Sequence, residues 1–186
     1  MRVIAGKAKG HHLKFEKNTR LRPTSDMVKG AIFSALNSMQ VDFSNVLDLY
    51  AGTGALGIEA LSRGAQYADF VEKESKFCAI IKNNLEHTKL SDQAHVYCST
   101  SEKAASFLKE RYTLILMDPP YANTNTVTML QMLADSPIVG EDSTIVVEHA
   151  AKNPLAEAYG RFHQTKQINH GDTGVSIYQF TKGGLS

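Results

Sequence analysis

The 186-residue chain has no tryptophan, only two cysteines and only five prolines. No apolar run approaches the ~20 residues that a membrane span requires, so none is expected. The opening stretch, MRVIAGKAKG, lacks the apolar core of a secretory signal and points to a cytoplasmic protein. Cys78 and Cys98 lie in different segments without CxxC spacing; they read as two reduced, buried thiols rather than a zinc site or a disulfide framework. No spaced set of His, Cys and Asp suggests a metal. Net charge is nearly absent as well, at +1, but it is unevenly spread. Residues 1–30 hold eight basic side chains against Glu16 and Asp26, a surplus of +6, which leaves the rest of the chain at −5. A basic arm on a mildly acidic body suits a polyanionic partner. Arg2, Lys7, Lys9, Lys14, Arg20 and Arg22 are the candidates for phosphate contacts, and His11 and His12 extend the arm.

What is present is an alternation of short apolar runs with helical patterns. VLDLY (46–50), YADFVE (67–72), AHVYCS (94–99), YTLILMD (112–118) and STIVVEHA (143–150) read as strands. Between them, GALGIEALSRG (54–64), SKFCAIIKNNLEHTKL (75–90), SEKAASFLKE (101–110) and TVTMLQMLADS (126–136) read as helices, the second capped by Ser75. RFHQTKQINH and GVSIYQFTK, joined at Gly171–Gly174, form an antiparallel hairpin. Ahead of the sheet, Thr24 or Ser25 can cap a helix with Val28, Ala31, Ile32, Ala35 and Leu36 on its apolar stripe. The pattern predicts an α/β fold: a doubly wound, mainly parallel seven-stranded sheet with a C-terminal hairpin and a small basic N-terminal extension. One domain over 1–186 is expected, with the arm and first helix in 1–38 and the sheet in 45–186.

The chemistry concentrates in two places. Gly52, Gly54 and Gly57 spell G-x-G-x-x-G between a strand and a helix, followed by Glu72, which can accept both hydroxyls of an adenosine ribose. That much fits a nicotinamide cofactor and S-adenosylmethionine equally. Asp48, four residues before Gly52, separates them, because a carboxylate there suits a sulfonium and an ammonium and repels a pyrophosphate. The second place is MDPPY (117–121), directly after the fourth strand. Pro119 and Pro120 fix the backbone and remove two N–H donors, leaving carbonyls and the Asp118 carboxylate as acceptors for an –NH2 group. Tyr121 can stack on the ring that carries it. By contrast, Glu148 and His149 read as a solvent-facing pair at a strand end.

DLYAGTGALGIEALSRGA together with LMDPPY resembles class I S-adenosylmethionine-dependent methyltransferases that act on exocyclic amines. With MRVIAGKAKGHHL, RPTSDMVKGAIFSAL and FVEKE added, the whole chain resembles the bacterial 16S rRNA guanine-N2 methyltransferases of the RsmD type. The resemblance implies that the stretch from Asp48 through Ala51, Gly52, Thr53 and Gly54 to Gly57 wraps the methionine part of S-adenosylmethionine. Glu72 then binds the ribose, Lys73 flanks the adenine, and Arg22, Pro23 and Thr24 close over the cofactor. Asp118, Pro119, Pro120 and Tyr121 would hold the target guanine, position 966 by the family's name. One departure stands out: where the family carries an Asp for the adenine amine, this chain reads YCSTSEKA, so Ser99 or a backbone group must substitute. The implied partner is 16S rRNA, within a small-subunit assembly particle, and a monomer is expected. A DNA adenine-N6 methyltransferase and a non-catalytic RNA-binding protein on the same scaffold are the alternatives.

Overall fold

The structure, a computed structural model, describes residues 1–15, 25–120 and 125–181. Its elements run α1 (Asp26–Ser38), β1 (Asn45–Leu49), α2 (Ala55–Ser62), β2 (Tyr67–Glu72), α3 (Ser75–His87), β3 (Ala94–Cys98), α4 (Ser101–Phe107), β4 (Leu114–Met117), α5 (Thr126–Ala134) and β5 (Thr144–Ala150). The chain then closes with β6 (Ala158–Tyr159), β7 (Phe162–His170) and β8 (Thr173–Phe180). All eight strands belong to one sheet, in the order β3-β2-β1-β4-β5-β8-β7-β6. The first five are parallel to their neighbours, and β5–β8, β8–β7 and β7–β6 are antiparallel.

The expected count of seven strands is therefore corrected to eight among the described residues. The extra one, β6, is two residues long and pairs only with the start of β7, too short for any periodicity to reveal. The hairpin turn is also tighter than expected: Gly171 and Asp172 alone make it, with Gly171 at φ 58°, while Thr173 and Gly174 already pair in β8. A shift of register between Gln164 and Lys166 bulges β7. At α3, Ser75 is the first helical residue rather than the cap; Glu74 occupies the cap position and offers no side-chain bond. Ser25 does cap α1, accepting from the Val28 amide.

Alternation along the strands feeds two cores. Val46, Leu114 and Leu116 pack with Ile32, Leu36, Leu56, Ile58, Ile81 and Leu85 from α1, α2 and α3. Leu47, Leu49, Ile115 and Met117 pack on the other face with Ala104, Met129, Leu130 and Leu133 from α4 and α5. Every residue of β4 and β5 is buried, as expected for strands covered on both faces. Because the strand order reverses between β1 and β4, the loops after these two strands diverge and leave a crevice at their carboxyl ends.

Residues 1–15 form a small hairpin, with Arg2 bridged to His12 and turns at Gly6 and Gly10. Val3, Ala8 and Leu13 are buried in the α1–α3 core. A Cβ at Gly6 would lie 1.7 Å from the Ser62 carbonyl oxygen, so the hairpin backbone rests directly on the end of α2. Among the described residues, no helix is long and apolar enough to cross a membrane, and no cluster of His, Cys, Asp and Glu could hold a metal.

Candidate active site

The glycine segment turns sharply out of β1. Tyr50, Gly52 and Gly54 have φ of 61°, 55° and 79°, a left-handed run that glycine tolerates best. Gly54 stands at the N-cap of α2, and its amide donates to the Ala51 carbonyl at 2.7 Å. Gly57 is needed for a different reason. A Cβ there would lie 2.4 Å from the Phe70 ring and 3.0 Å from Asp48 Oδ2, so α2 packs onto β1 and β2 only without a side chain at this position.

Two carboxylates frame the segment. Glu72, at the end of β2, accepts from the Gly52 amide through Oε2 and from the Glu74 amide through Oε1, each at 2.9 Å. It therefore fixes the loop after β1 to the loop after β2 while keeping further lone pairs on each oxygen. Asp48 is only 1% exposed. Its Oδ2 accepts from the Gly57 amide at 2.8 Å. Burial pushes its carboxyl up to about 8, against the pull of the Gly57 amide, and the neighbouring charges of Asp118 and Glu72 push the same way. This floor favours a positive group.

Asp118 follows β4 and is half-buried, Pro119 is buried and Pro120 is exposed. Because Leu49 pairs with Met117 in the parallel β1–β4 register, the acceptor turn and the glycine segment leave the sheet side by side, in one crevice. Tyr121, Thr24, Arg20 and Arg22 lie outside the described residues. Lys73 is exposed beside Glu72. Ser99 sits against the same edge: its amide donates to the Glu72 carbonyl at 2.9 Å, and its buried Oγ has no hydrogen-bond partner among the described residues. An orphaned hydroxyl beside a ribose-type acceptor, a left-handed glycine turn and a charge-hungry aspartate fit an adenosine-bearing sulfonium.

Of the basic candidates, Arg2, Lys7, Lys9 and Lys14 are exposed on the hairpin. Arg2 lies 3.9 Å from Asp26, and Lys7 Nζ reaches Gln93. His11 is half-buried, its ring edge-on to that of exposed His87 at 5.3 Å.

Two expectations are corrected. Cys98 is exposed, not buried: it is the last residue of β3, the outermost strand at that border of the sheet, where little covers it. Cys78 is buried and donates to the Glu72 carbonyl at 3.2 Å; burial and contact with Cys98 push its thiol up to about 12. Glu148 and His149 do not face solvent either. Both are buried, and the His149 ring lies over Gly174, where a Cβ would stand 2.6 Å from it, with Nε2 3.0 Å from Ser176 Oγ.

Sequence reasoning missed the polar residues that attach the N-terminal hairpin. Glu59 takes the Ile4 and Ala5 amides at 2.8 and 3.0 Å, together with Arg63 Nε at 2.8 Å and the wholly buried Lys29 ammonium at 3.5 Å. The signal was present as charged residues on faces that periodicity assigns to the core.

The chain is similar to known proteins over nearly its whole length. The family model described as Conserved hypothetical protein 95 matches residues 1–179. A Bacillus subtilis protein, YlbH, provisionally named an rRNA methyltransferase, is 38% identical over 182 residues, covering 96% of this chain and 98% of the relative. Ribosomal RNA small subunit methyltransferase D of Escherichia coli is 29% identical over 182 residues, 96% of this chain and 89% of its own. Among solved structures, the Escherichia coli protein yhhF, provisionally named a methyltransferase, superposes with a TM-score of 0.85 at 27% identity, covering 98% of this chain and 99% of that one.

Proposed function

Because the chain belongs to the Conserved hypothetical protein 95 family, the RsmD type of class I methyltransferases, we propose that it methylates the exocyclic N2 amine of a guanine in 16S rRNA. The observation that carries this reading is the meeting, in one crevice, of a buried carboxylate poised for a cation and an acceptor turn with no N–H donors at its prolines. S-adenosylmethionine supplies an electrophilic methyl carbon on a sulfonium that leaves as a neutral thioether. Asp48 faces its positive end, the backbone from Ala51 through Gly52, Thr53 and Gly54 surrounds its methionine part, and Gly57 keeps Asp48 in place. Glu72 accepts from the ribose hydroxyls, Lys73 flanks the adenine, and the Ser99 hydroxyl meets the adenine edge. Thr24 belongs to the same cofactor set.

On the substrate side, Asp118 and the Pro119 carbonyl accept the two N–H bonds of the amine and turn its lone pair toward the methyl group. Transfer of that methyl group would build positive charge on the amine nitrogen, which the Asp118 carboxylate would stabilise until one proton passes to Asp118 itself or to water. Pro120 stiffens the turn and Tyr121 stacks on the base, which must be unstacked from the RNA to enter. Arg2, Lys7, Lys9, Lys14, Arg20 and Arg22 contact phosphates, giving affinity without base identity. Residues 1–186 work as one catalytic domain, on 16S rRNA within a small-subunit particle, guanine 966 being the position that the family resemblance indicates.

The test is transfer of a tritiated methyl group to small subunits from a strain lacking this gene, with Asp118→Ala in parallel. Label recovered as N2-methylguanosine and reduced at least ~100-fold by the substitution is the expected result. Label in DNA adenine instead would place the protein among the adenine-N6 enzymes.

A further inference from the structure

Asn84 on α3 is wholly buried, a polar residue on a face otherwise lined by Phe77, Ile81 and Leu85. Its side chain binds only backbone, and from two separate parts of the chain. Oδ1 accepts from the Lys14 amide at 2.8 Å. Nδ2 donates to the Lys14 carbonyl at 3.1 Å and to the Thr53 carbonyl at 2.9 Å. One amide plane thus satisfies both groups of a residue in the basic segment and holds a carbonyl between Gly52 and Gly54. Its orientation is fixed by its partners, because a flipped amide would set N–H against N–H and oxygen against oxygen. A second contact joins the same regions, the Thr53 hydroxyl reaching Met1 Sδ at 3.8 Å.

We propose that Asn84 is a positioning residue that couples the cofactor segment to the basic segment, so that cofactor and RNA each bind more tightly once the other is in place. This rests on the methyltransferase reading above. A ligand that settles the Thr53 carbonyl also settles the Asn84 amide plane. That lowers the ordering cost of Lys14, whose side chain is exposed on the segment proposed above to contact phosphates. Thermodynamic reciprocity makes the coupling run both ways. Asp at this position would keep the bond from the Lys14 amide and oppose two carbonyls with a carboxylate; Leu would lose all three bonds.

Two measurements test the coupling. In the unaltered protein, hydrogen exchange is followed with S-adenosylhomocysteine alone. The Lys14 amide is expected to slow several-fold, while the Val175 amide in β8 stays unchanged. Then the dissociation constant of S-adenosylhomocysteine is measured with and without a 16S rRNA transcript. The unaltered protein is expected to bind at least ~5-fold more tightly with RNA, and Asn84→Ala to bring that ratio to about 1. An unshifted Lys14 amide at saturating S-adenosylhomocysteine overturns the inference and leaves the methyltransferase reading standing. So does an undiminished ratio in Asn84→Ala. Failure of S-adenosylhomocysteine to bind at all overturns both. Since the exchange measurement needs no variant, poor folding of Asn84→Ala leaves the inference open to refutation.

Discussion

Two buried carboxylates, eleven positions apart in the chain, live in opposite surroundings. Glu59 receives two backbone amides, a guanidinium and an ammonium, and is spent entirely on attaching the N-terminal hairpin to α1 and α2. Asp48 receives one amide and faces two other carboxylates, which leaves it hungry for a cation that the fold does not supply. Burial alone says nothing about role. What separates structure from function here is the number of donors that the fold has already committed to the group.

The largest effect is expected on the saturated side. Glu59→Ala leaves the buried Lys29 ammonium with only the Arg2 carbonyl at 2.6 Å and the more distant Asp26 carboxylate at 3.8 Å; burial already pulls its pKa down, and Glu59 is the main group that holds it up. A loss of about 3–5 kcal/mol is expected, read as a lower midpoint in urea with early exchange of the Ile4 and Ala5 amides. If Glu59→Ala unfolds at the midpoint of the unaltered protein, the contrast fails.

On the unsaturated side, Asp48→Asn should cost little stability and weaken cofactor binding by about 1.5–3 kcal/mol, the worth of a charge-assisted bond. Its pH signature has a definite sign. With its carboxyl raised from 3.8 to about 8, folded Asp48 holds a proton that the unfolded chain has released. Stability conferred at low pH therefore falls as pH rises through that window, and thermal melts of Asp48→Asn should lose that part of the slope. A cation seated beside Asp48 favours its ionised form, so cofactor binding near neutral pH should release a proton. Calorimetry in two buffers of different ionisation heat would show the release, and Asp48→Asn should abolish it.

Smaller changes sharpen the same contrast. Ser62 Oγ accepts from the buried Ala8 amide at 2.9 Å and donates to the Ala5 carbonyl at 2.5 Å. Ser62→Ala should cost about 1–2 kcal/mol, since it leaves the Ala8 N–H unpaired, with the loss seen in chemical denaturation and cofactor affinity unchanged. Least of all, Lys9→Ala should leave the melt alone and lower the salt slope of RNA binding by about 0.7–0.9, the share of one phosphate contact.

Much of this was legible beforehand. Strand–helix alternation yields the parallel sheet from β1 to β5, and turn residues yield the hairpin, because those features follow from local periodicity. Gly52, Gly54, Asp48 and the turn after β4 stand out because a strand end followed by glycines or prolines is a local pattern too. Lys29, Glu59, Ser62 and Asn84 do not. The backbone groups they bind lie about 27 to 70 positions away, and a polar residue on a core face carries no mark of the backbone it will meet. Cys78 and Cys98 came together for the same reason, through the packing of α3 on β3.

The bulge in β7 has a consequence for how copies of the chain meet. Beyond its short pairing with β6, this outer strand could serve as a template for a strand from another molecule. The register shift between Gln164 and Lys166 breaks the regular spacing of its amides and carbonyls, and exposed Thr165, Lys166 and Gln167 line the same stretch. A bent, polar rim carrying Lys166 resists such zippering, so the sheet has its own guard against cross-molecular strand addition at this border.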